Sequence, residues 1–285
     1  MKPAKFVHHA PKTLANALAI LAQVAPLDGR ILAGGQSLVA AMALRLAQPA
    51  HLVDINGVAG LERLAVANAE LSIGACVRHA AFHRPVADGP LGRLLSAVVR
   101  QIAHYPIRTR GTFCGSLANA DPASEWCLVA ATLGARMVAL SARGERVIAA
   151  EDFFRGIMMS ALQADELLAE ARLPLLSAAT RFGFHEFSRR AGDFAMAMAL
   201  ALYRIEGGRI AGARIGIGGV EERPRRIAEA EALLEGQPPS DERFRAAAEA
   251  AAGAVSPIDQ SAEVAGYKRD LVRALAYRAL EQAAA

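Results

Sequence analysis

Two stretches of this sequence carry residue types that can grip an anion. The first is Ala33-Gly34-Gly35-Gln36-Ser37. Adjacent glycines let the backbone turn tightly and bring its amides close to a ligand, because no Cβ stands in the way. Amides freed where a strand gives way to a helix favour a phosphate-like charge, and Ser37 adds a hydroxyl. The second stretch runs Gly111-Thr112-Phe113-Cys114-Gly115-Ser116-Leu117-Ala118-Asn119-Ala120-Asp121-Pro122. Its glycines and hydroxyls suit another phosphate-contacting loop. Asn119, Asp121 and Glu125 can hydrogen-bond the hydroxyls of a sugar or polyol chain.

Taken singly, each stretch also reads as ordinary structure. The first makes a strand-to-helix turn with Ser37 as cap, the second a solvated loop closed by Asp121-Pro122. Neither is a GxGxxG or a GxxxxGK[ST], so the usual nucleotide fingerprints do not apply. Together they are more telling. They lie in separate units of the chain, so each can hold one side of an extended dinucleotide. FAD, with two phosphates and a long ribityl chain, suits that arrangement.

Other constellations are weaker. His79 and His83 stand four apart, as metal ligands on one helical face can, but no third ligand or HExxH is evident. No serine sits in a nucleophile-elbow context. Cys76, Cys114 and Cys127 include no CxxC, which argues against a disulfide framework. A [2Fe–2S] cluster commonly takes four thiolates, so three cysteines argue against one here.

The elements that must position these residues follow from periodicity and punctuation. Of 285 residues, 53% are hydrophobic, enough for a sizeable core and more than one structural unit. A net charge of +4 with dispersed basic residues gives no nucleic-acid groove. The apolar run from Phe194 to Tyr203 falls far short of the roughly 20 residues of a membrane helix, and no signal peptide is evident. The expectation is a cytoplasmic protein without a membrane span. Thr13 caps a predicted helix with leucines at 14, 18 and 21 on one face. Short strands are predicted at 30–33 and 51–55, with a helix over 38–46 between them. Strands follow at 61–66 and 71–77, then helices at 91–103 and 124–133 flanking the second loop. A hairpin is predicted around Arg143-Gly144 and a strand at 166–173. Beyond Pro174 the predicted strands are 181–188, 193–206 and 209–220, the last two turning at Gly207-Gly208. Three helices close the chain, with Trp126 read as a core residue of the earlier helix 124–133.

At these residues the sequence resembles the FAD-binding medium subunits of molybdenum hydroxylases of the carbon monoxide dehydrogenase and xanthine dehydrogenase type. The matching stretches are Leu32 through Leu38, His51 through Ile55, Ile73-Gly74-Ala75, Ile102 through Glu125, Ser188 through Phe194 and Tyr267 through Leu280. They cover nearly the whole chain in order. The resemblance implies an α+β protein: a two-subdomain FAD-binding fold of the vanillyl-alcohol-oxidase type over 1–176, with subdomains of about 1–56 and 57–176. A C-terminal α+β domain, an antiparallel sheet plus helices, would occupy 177–285. Ala33, Gly34, Gly35, Gln36 and Ser37, with Thr112, Cys114, Gly115 and Ser116, would line the pyrophosphate. Ile102 and Leu168 would make apolar contacts with the cofactor. Asn119, Asp121, Glu125, His185 and Phe194 complete the implied site.

Relatives of this kind place FAD in this subunit, a molybdopterin-type molybdenum cofactor in a large partner and [2Fe–2S] clusters in a small one. A dimer of heterotrimers is implied. The expected role is to take electrons from the partner's clusters to FAD and on to an external acceptor. A stand-alone FAD oxidoreductase and an assembly subunit that has lost FAD are the alternatives. Three positions depart from the pattern: Cys114 stands where many relatives have glycine, His185 where some have lysine, and Phe194 where some place a tyrosine.

Overall fold

The computed structural model describes residues 2–259 and 261–285. The chain opens with β1 (Val7–His9), α1 (Leu14–Val24), β2 (Gly29–Leu32), α2 (Leu38–Ala43) and β3 (His51–Asp54). The strands form a parallel sheet in the order β1-β3-β2. Thr13 Oγ1 accepts from the Asn16 amide at 3.2 Å, capping α1 as its sequence predicts. That helix buries Ala17, Leu21 and Val24. Two local expectations differ. Strand β1 was not anticipated, because Val7, His8 and His9 lack any alternating apolar pattern. Helix α2 is shorter than predicted and Ser37 does not cap it; its backbone is already helical, with no side-chain bond to the turn.

The second unit contains β4 (Leu64–Ala67), β5 (Glu70–Gly74), α3 (Gly89–Val98), α4 (Tyr105–Arg108), α5 (Phe113–Asn119) and α6 (Glu125–Leu133). It continues through β6 (Arg136–Ser141), β7 (Gly144–Ala149), α7 (Ala150–Phe153), β8 (Phe154–Gly156), β9 (Met159–Ser160) and β10 (Leu167–Pro174). An antiparallel sheet in the order β4-β5-β10-β6-β7 carries the helices. Trp126, Phe82 and Phe113 form an aromatic knot at its centre, with ring centroids 4.9 to 5.6 Å apart. Helix α3 stops short of Ala103. The Arg108 guanidinium donates to the carbonyls of Ile102 and Ala103 at 2.7 and 3.0 Å, giving partners to groups a longer helix would have paired internally.

The larger surprise is α5, since this stretch reads as loop from its Gly, Ser and Asn content. Thr112 is its cap, accepting from the Gly115 amide at 3.0 Å, and Phe113, Cys114 and Leu117 are buried. Burial of that face overrides the weak propensity of its polar residues.

The last unit holds β11 (Arg181–Phe187), β12 (Ala197–Glu206), β13 (Arg209–Gly218), β14 (Arg225–Arg226), α8 (Ala228–Ala232), α9 (Asp241–Ala254) and α10 (Ala262–Ala284). Its antiparallel sheet runs β11-β12-β13-β14. Strand β12 is buried on both faces. Ala197, Ala199, Ala201 and Tyr203 face the helical layer with Val272 and Leu280, whereas Met198, Leu200 and Leu202 join the core of the preceding unit. A side-chain period of two on a doubly covered strand produces the continuous apolar run seen in the sequence. The whole is the α+β architecture expected. Among the described residues, no helix is long and apolar enough to cross a membrane.

The buried Tyr203 hydroxyl donates to the Leu280 carbonyl at 3.2 Å, and the Leu280 side chain is fully buried. Tyr203→Phe should therefore cost about 1 kcal/mol, and Leu280→Ala about 2–5 kcal/mol through the cavity it leaves. Urea unfolding of both variants tests this ranking; the reverse order would mean that the α10 seam is held by polar contacts.

Candidate functional site

The two glycine-bearing stretches meet. A cleft of about 430 Å³ lies between them, lined by Ala33 through Ser37 from one side and Thr112, Cys114, Gly115, Ser116 and Asn119 from the other. Leu168, from β10, closes its floor with Leu167. Contact between the stretches is backbone to backbone. A Cβ on Gly34 would sit 2.5 Å from the Arg110 carbonyl oxygen and 2.7 Å from the Gly111 Cα, so only glycine permits this approach. Gly35 has φ of +74°, the left-handed region, and turns the chain from β2 into α2.

A polar brace ties the contact down. Asn56 Nδ2 donates to the Ala33 carbonyl at 2.8 Å, and its Oδ1 accepts from Arg78 Nη2 at 2.7 Å. Arg78 Nη1 in turn donates to the Arg110 carbonyl. Asp54 holds Asn56 from the other side, accepting from both its amide groups at 2.9 and 2.6 Å. Asn56 and Arg78 thus link the first stretch to the second. Sequence reasoning missed both, because neither belongs to a motif and their partners lie far along the chain.

The lining offers donors in excess. Among the described residues, the backbone amides of Gly34, Gly35, Gln36 and Ser37 have no acceptor within the chain, nor do those of Thr112 and Cys114. Backbone amides without an intramolecular partner need one from outside, and clustered ones favour an anion. This is the observation that fits the cleft to a dinucleotide pyrophosphate. Glu166, also in the lining, is committed elsewhere: it accepts from Arg146 at 2.6 and 2.7 Å, which holds its carboxyl below the usual range. Met158 and Leu162 add apolar surface that no motif announced.

The remaining sequence-predicted residues stand outside this lining. His185 shares with Gly183, and with its β12 partner Ala199, the face of β11 that α10 covers, whereas Ile102, Asp121, Glu125 and Phe194 stand toward the seam between the second unit and the C-terminal sheet. There the 188–194 turn reaches His104, whose ring lies where a Gly192 side chain would be. Phe194 is 70% exposed on that turn. Glu125, the first residue of α6, is buried, and burial with the nearby Glu186 pushes its carboxyl up to about 8. Glu186 is itself pushed up to about 7 by burial, and its Oε2 has no hydrogen-bond partner among the described residues. Burial, then Arg278, pushes the neighbouring His185 down.

The thiols are structural in their surroundings. All three are buried; Cys114 Sγ donates to the Ile73 carbonyl at 3.3 Å, and burial pushes it far up. Cys114 tolerates the position because α5 gives it a helical backbone. His79 is bonded to Trp126 rather than paired with His83. Among the described residues, no group of three or more His, Cys, Asp or Glu side chains is placed to hold a metal.

Comparison with known proteins agrees with this geometry. Residues 4–176 match the family described as the FAD binding domain in molybdopterin dehydrogenase, and residues 182–283 the CO dehydrogenase flavoprotein C-terminal domain. The chain is 39% identical over 258 residues to the nicotine 6-hydroxylase medium subunit of Paenarthrobacter nicotinovorans, covering 90% of each. It is 41% identical over 239 residues to caffeine dehydrogenase subunit beta of Pseudomonas sp. strain CBB1, covering 84% of this chain and 81% of that one. A solved carbon monoxide dehydrogenase structure from Hydrogenophaga pseudoflava superposes with a TM-score of 0.93 at 33% identity, over 99% of this chain and 98% of that one.

The buried acid at the seam has a pH signature. Between about 4.5 and about 8 the folded chain holds a proton on Glu125 that the unfolded chain has lost. Its contribution to stability is thus fully present below the lower value and declines as pH rises through the upper. Glu125→Gln removes this titration. Urea midpoints measured across that range should fall more steeply in the wild type than in the variant; parallel profiles would mean the carboxyl is solvated.

Proposed function

The chain belongs to the family of FAD-binding medium subunits of molybdenum hydroxylases, and from that premise we propose that it is the electron-transfer subunit of a heteromeric enzyme. FAD, when bound, would supply the redox chemistry that passes electrons from [2Fe–2S] clusters of a small partner subunit to an external acceptor. The observation that carries this reading is the cluster of unpartnered amides on two braced glycine stretches. A large molybdopterin-binding partner would carry out substrate hydroxylation. The medium-subunit and subunit-beta names of the relatives support a multi-subunit assembly; the form proposed is a dimer of heterotrimers in the cytoplasm.

The chain's own residues bind and orient. In this proposal Ala33 through Ser37 and Thr112 through Ser116 line the pyrophosphate, with the free amides of Gly34 through Ser37, Thr112 and Cys114 holding it, and Asn119 and Asp121 take hydroxyls of the ribityl or ribose. Leu168 and Ile102 give apolar contacts, while Glu125 and Phe194 border the flavin end; the expected contact from His185 is not part of this proposal, because its side of β11 packs on α10. Glu125, protonated at neutral pH by its burial, can donate a hydrogen bond where a carboxylate could only accept. Phe194 brings no hydroxyl, so it offers this edge an apolar contact without a hydrogen bond of its own. The proposed domains are 1–176 for FAD and 177–285 for the C-terminal unit.

Gly35→Val should abolish retention of flavin while the C-terminal unit stays folded. A branched Cβ is strained at φ of +74° and would meet Val39 at 3.1 Å. Flavin-to-protein ratios by absorbance check this; an unchanged ratio would reduce the first stretch to a turn. The assembly is tested on the complex purified from its native host. One non-covalent FAD per chain should accompany partners carrying molybdenum and iron–sulfur. The isolated FAD-loaded chain should bleach with dithionite yet stay oxidised with the complex's substrate. Bleaching by substrate at the full turnover rate would instead establish a stand-alone oxidoreductase.

A further inference from the structure

The floor of the cleft contains a histidine that no glycine motif announces. His79 is 4% exposed and lines the cleft beneath Gly111. Its backbone amide donates to the Gly111 carbonyl at 2.9 Å, which sets the ring directly under the second stretch. A Cβ on Gly111 would lie 2.5 Å from His79 Nε2 and 2.6 Å from Cδ2. The missing side chain at Gly111 therefore leaves the Nε2 edge of the imidazole uncovered.

The protonation of that edge follows from one bond. Trp126 Nε1 lies 3.0 Å from His79 Nδ1. An indole nitrogen can only donate, so Nδ1 is the bare acceptor and the proton of the neutral ring is on Nε2. Trp126 is fully buried in the aromatic knot and has no freedom to leave. Burial, then Arg78 and Arg108, pushes His79 down to about 4, so the ring stays neutral across the physiological range. Among the described residues Nε2 has no hydrogen-bond partner. The site thus holds a fixed N–H, nine-tenths buried, with its one protein bond used to lock the tautomer.

We propose that His79 donates its Nε2–H to the pyrophosphate of FAD, with Trp126 as the positioning residue that keeps the proton on that nitrogen. The assignment rests on the FAD reading above and extends the pyrophosphate site from backbone amides to a side chain. A neutral donor suits this place. It adds a hydrogen bond to an anion without introducing a buried charge that would itself need a counter-ion.

The test uses the full-length chain stripped of flavin. Binding of FAD, ADP and riboflavin is measured for wild type, His79→Phe, His79→Gln and Trp126→Phe. A hydrogen bond to a charged group predicts that His79→Phe weakens FAD and ADP alike by about 10- to 100-fold and leaves riboflavin unchanged. His79→Gln, which keeps a donor at similar reach, should recover most of that loss. Trp126→Phe should give an intermediate loss. The ³¹P resonances of bound FAD should move in His79→Phe and return toward wild type in His79→Gln. If His79→Phe does not fold, the wild type still decides: the His79 Nε2–H resonance, seen with ¹⁵N-labelled imidazole, should shift when ADP is added. Equal weakening of riboflavin and ADP, or an Nε2–H resonance indifferent to ADP, would make His79 a packing residue and overturn the proposal. A wild-type chain that binds ADP but not riboflavin or FAD would instead overturn the FAD reading while sparing the pyrophosphate contact.

Discussion

The close approach of Gly34 to the Arg110–Gly111 backbone is the constraint on which the site depends. Two stretches from different sheets must touch without side chains between them, and their free amides must end on one cleft. Backbone contact alone would leave the stretches free to slide. The Asn56–Arg78 brace prevents this by bonding a carbonyl on each side, Ala33 and Arg110, through two side chains. Asp54, at the end of β3, fixes Asn56 in turn. A short parallel sheet of half-exposed strands is thereby tied to the stronger antiparallel sheet beside it.

Beneath the second stretch lies the aromatic knot of Phe82, Phe113 and Trp126. It explains why a segment rich in glycine and polar residues forms helix α5. Phe113 and Leu117 are fully buried, and the helix gives both a place on one face. The same burial keeps the nearby ionisable groups uncharged: desolvation lowers the His79 pKa and raises the Glu125 pKa. The groups buried between cleft and seam, His79 and Glu125, are therefore neutral hydrogen-bond donors, while the fixed charges of Arg78 and Arg108 are directed to backbone carbonyls.

The C-terminal unit is attached through β12, whose alternate residues belong to two different cores. Displacing the sheet would expose Met198, Leu200 and Leu202 together. That attachment brings the 188–194 turn to His104 and sets Glu186 near Glu125. These are contacts between elements far apart in the chain.

Much of this was legible in the sequence. The Thr13 cap, the hairpins at Arg143-Gly144 and Gly207-Gly208, and the apolar run of β12 are local signals, set by turn chemistry and side-chain period. The glycine pairs announced close backbone approach, and their residues do share a cleft. Other features were decided by tertiary structure. Ser37 proved not to be a cap, because the turn at Gly35 had already set its backbone helical. The loop expected after Gly111 became helix because distant aromatic residues bury one side of it. Asn56, Arg78 and the His79–Trp126 pair had no sequence signal, since a hydrogen bond between residues 47 positions apart leaves no periodicity to read. Local patterns fix which elements form; which polar groups face each other across the cleft depends on how those elements pack.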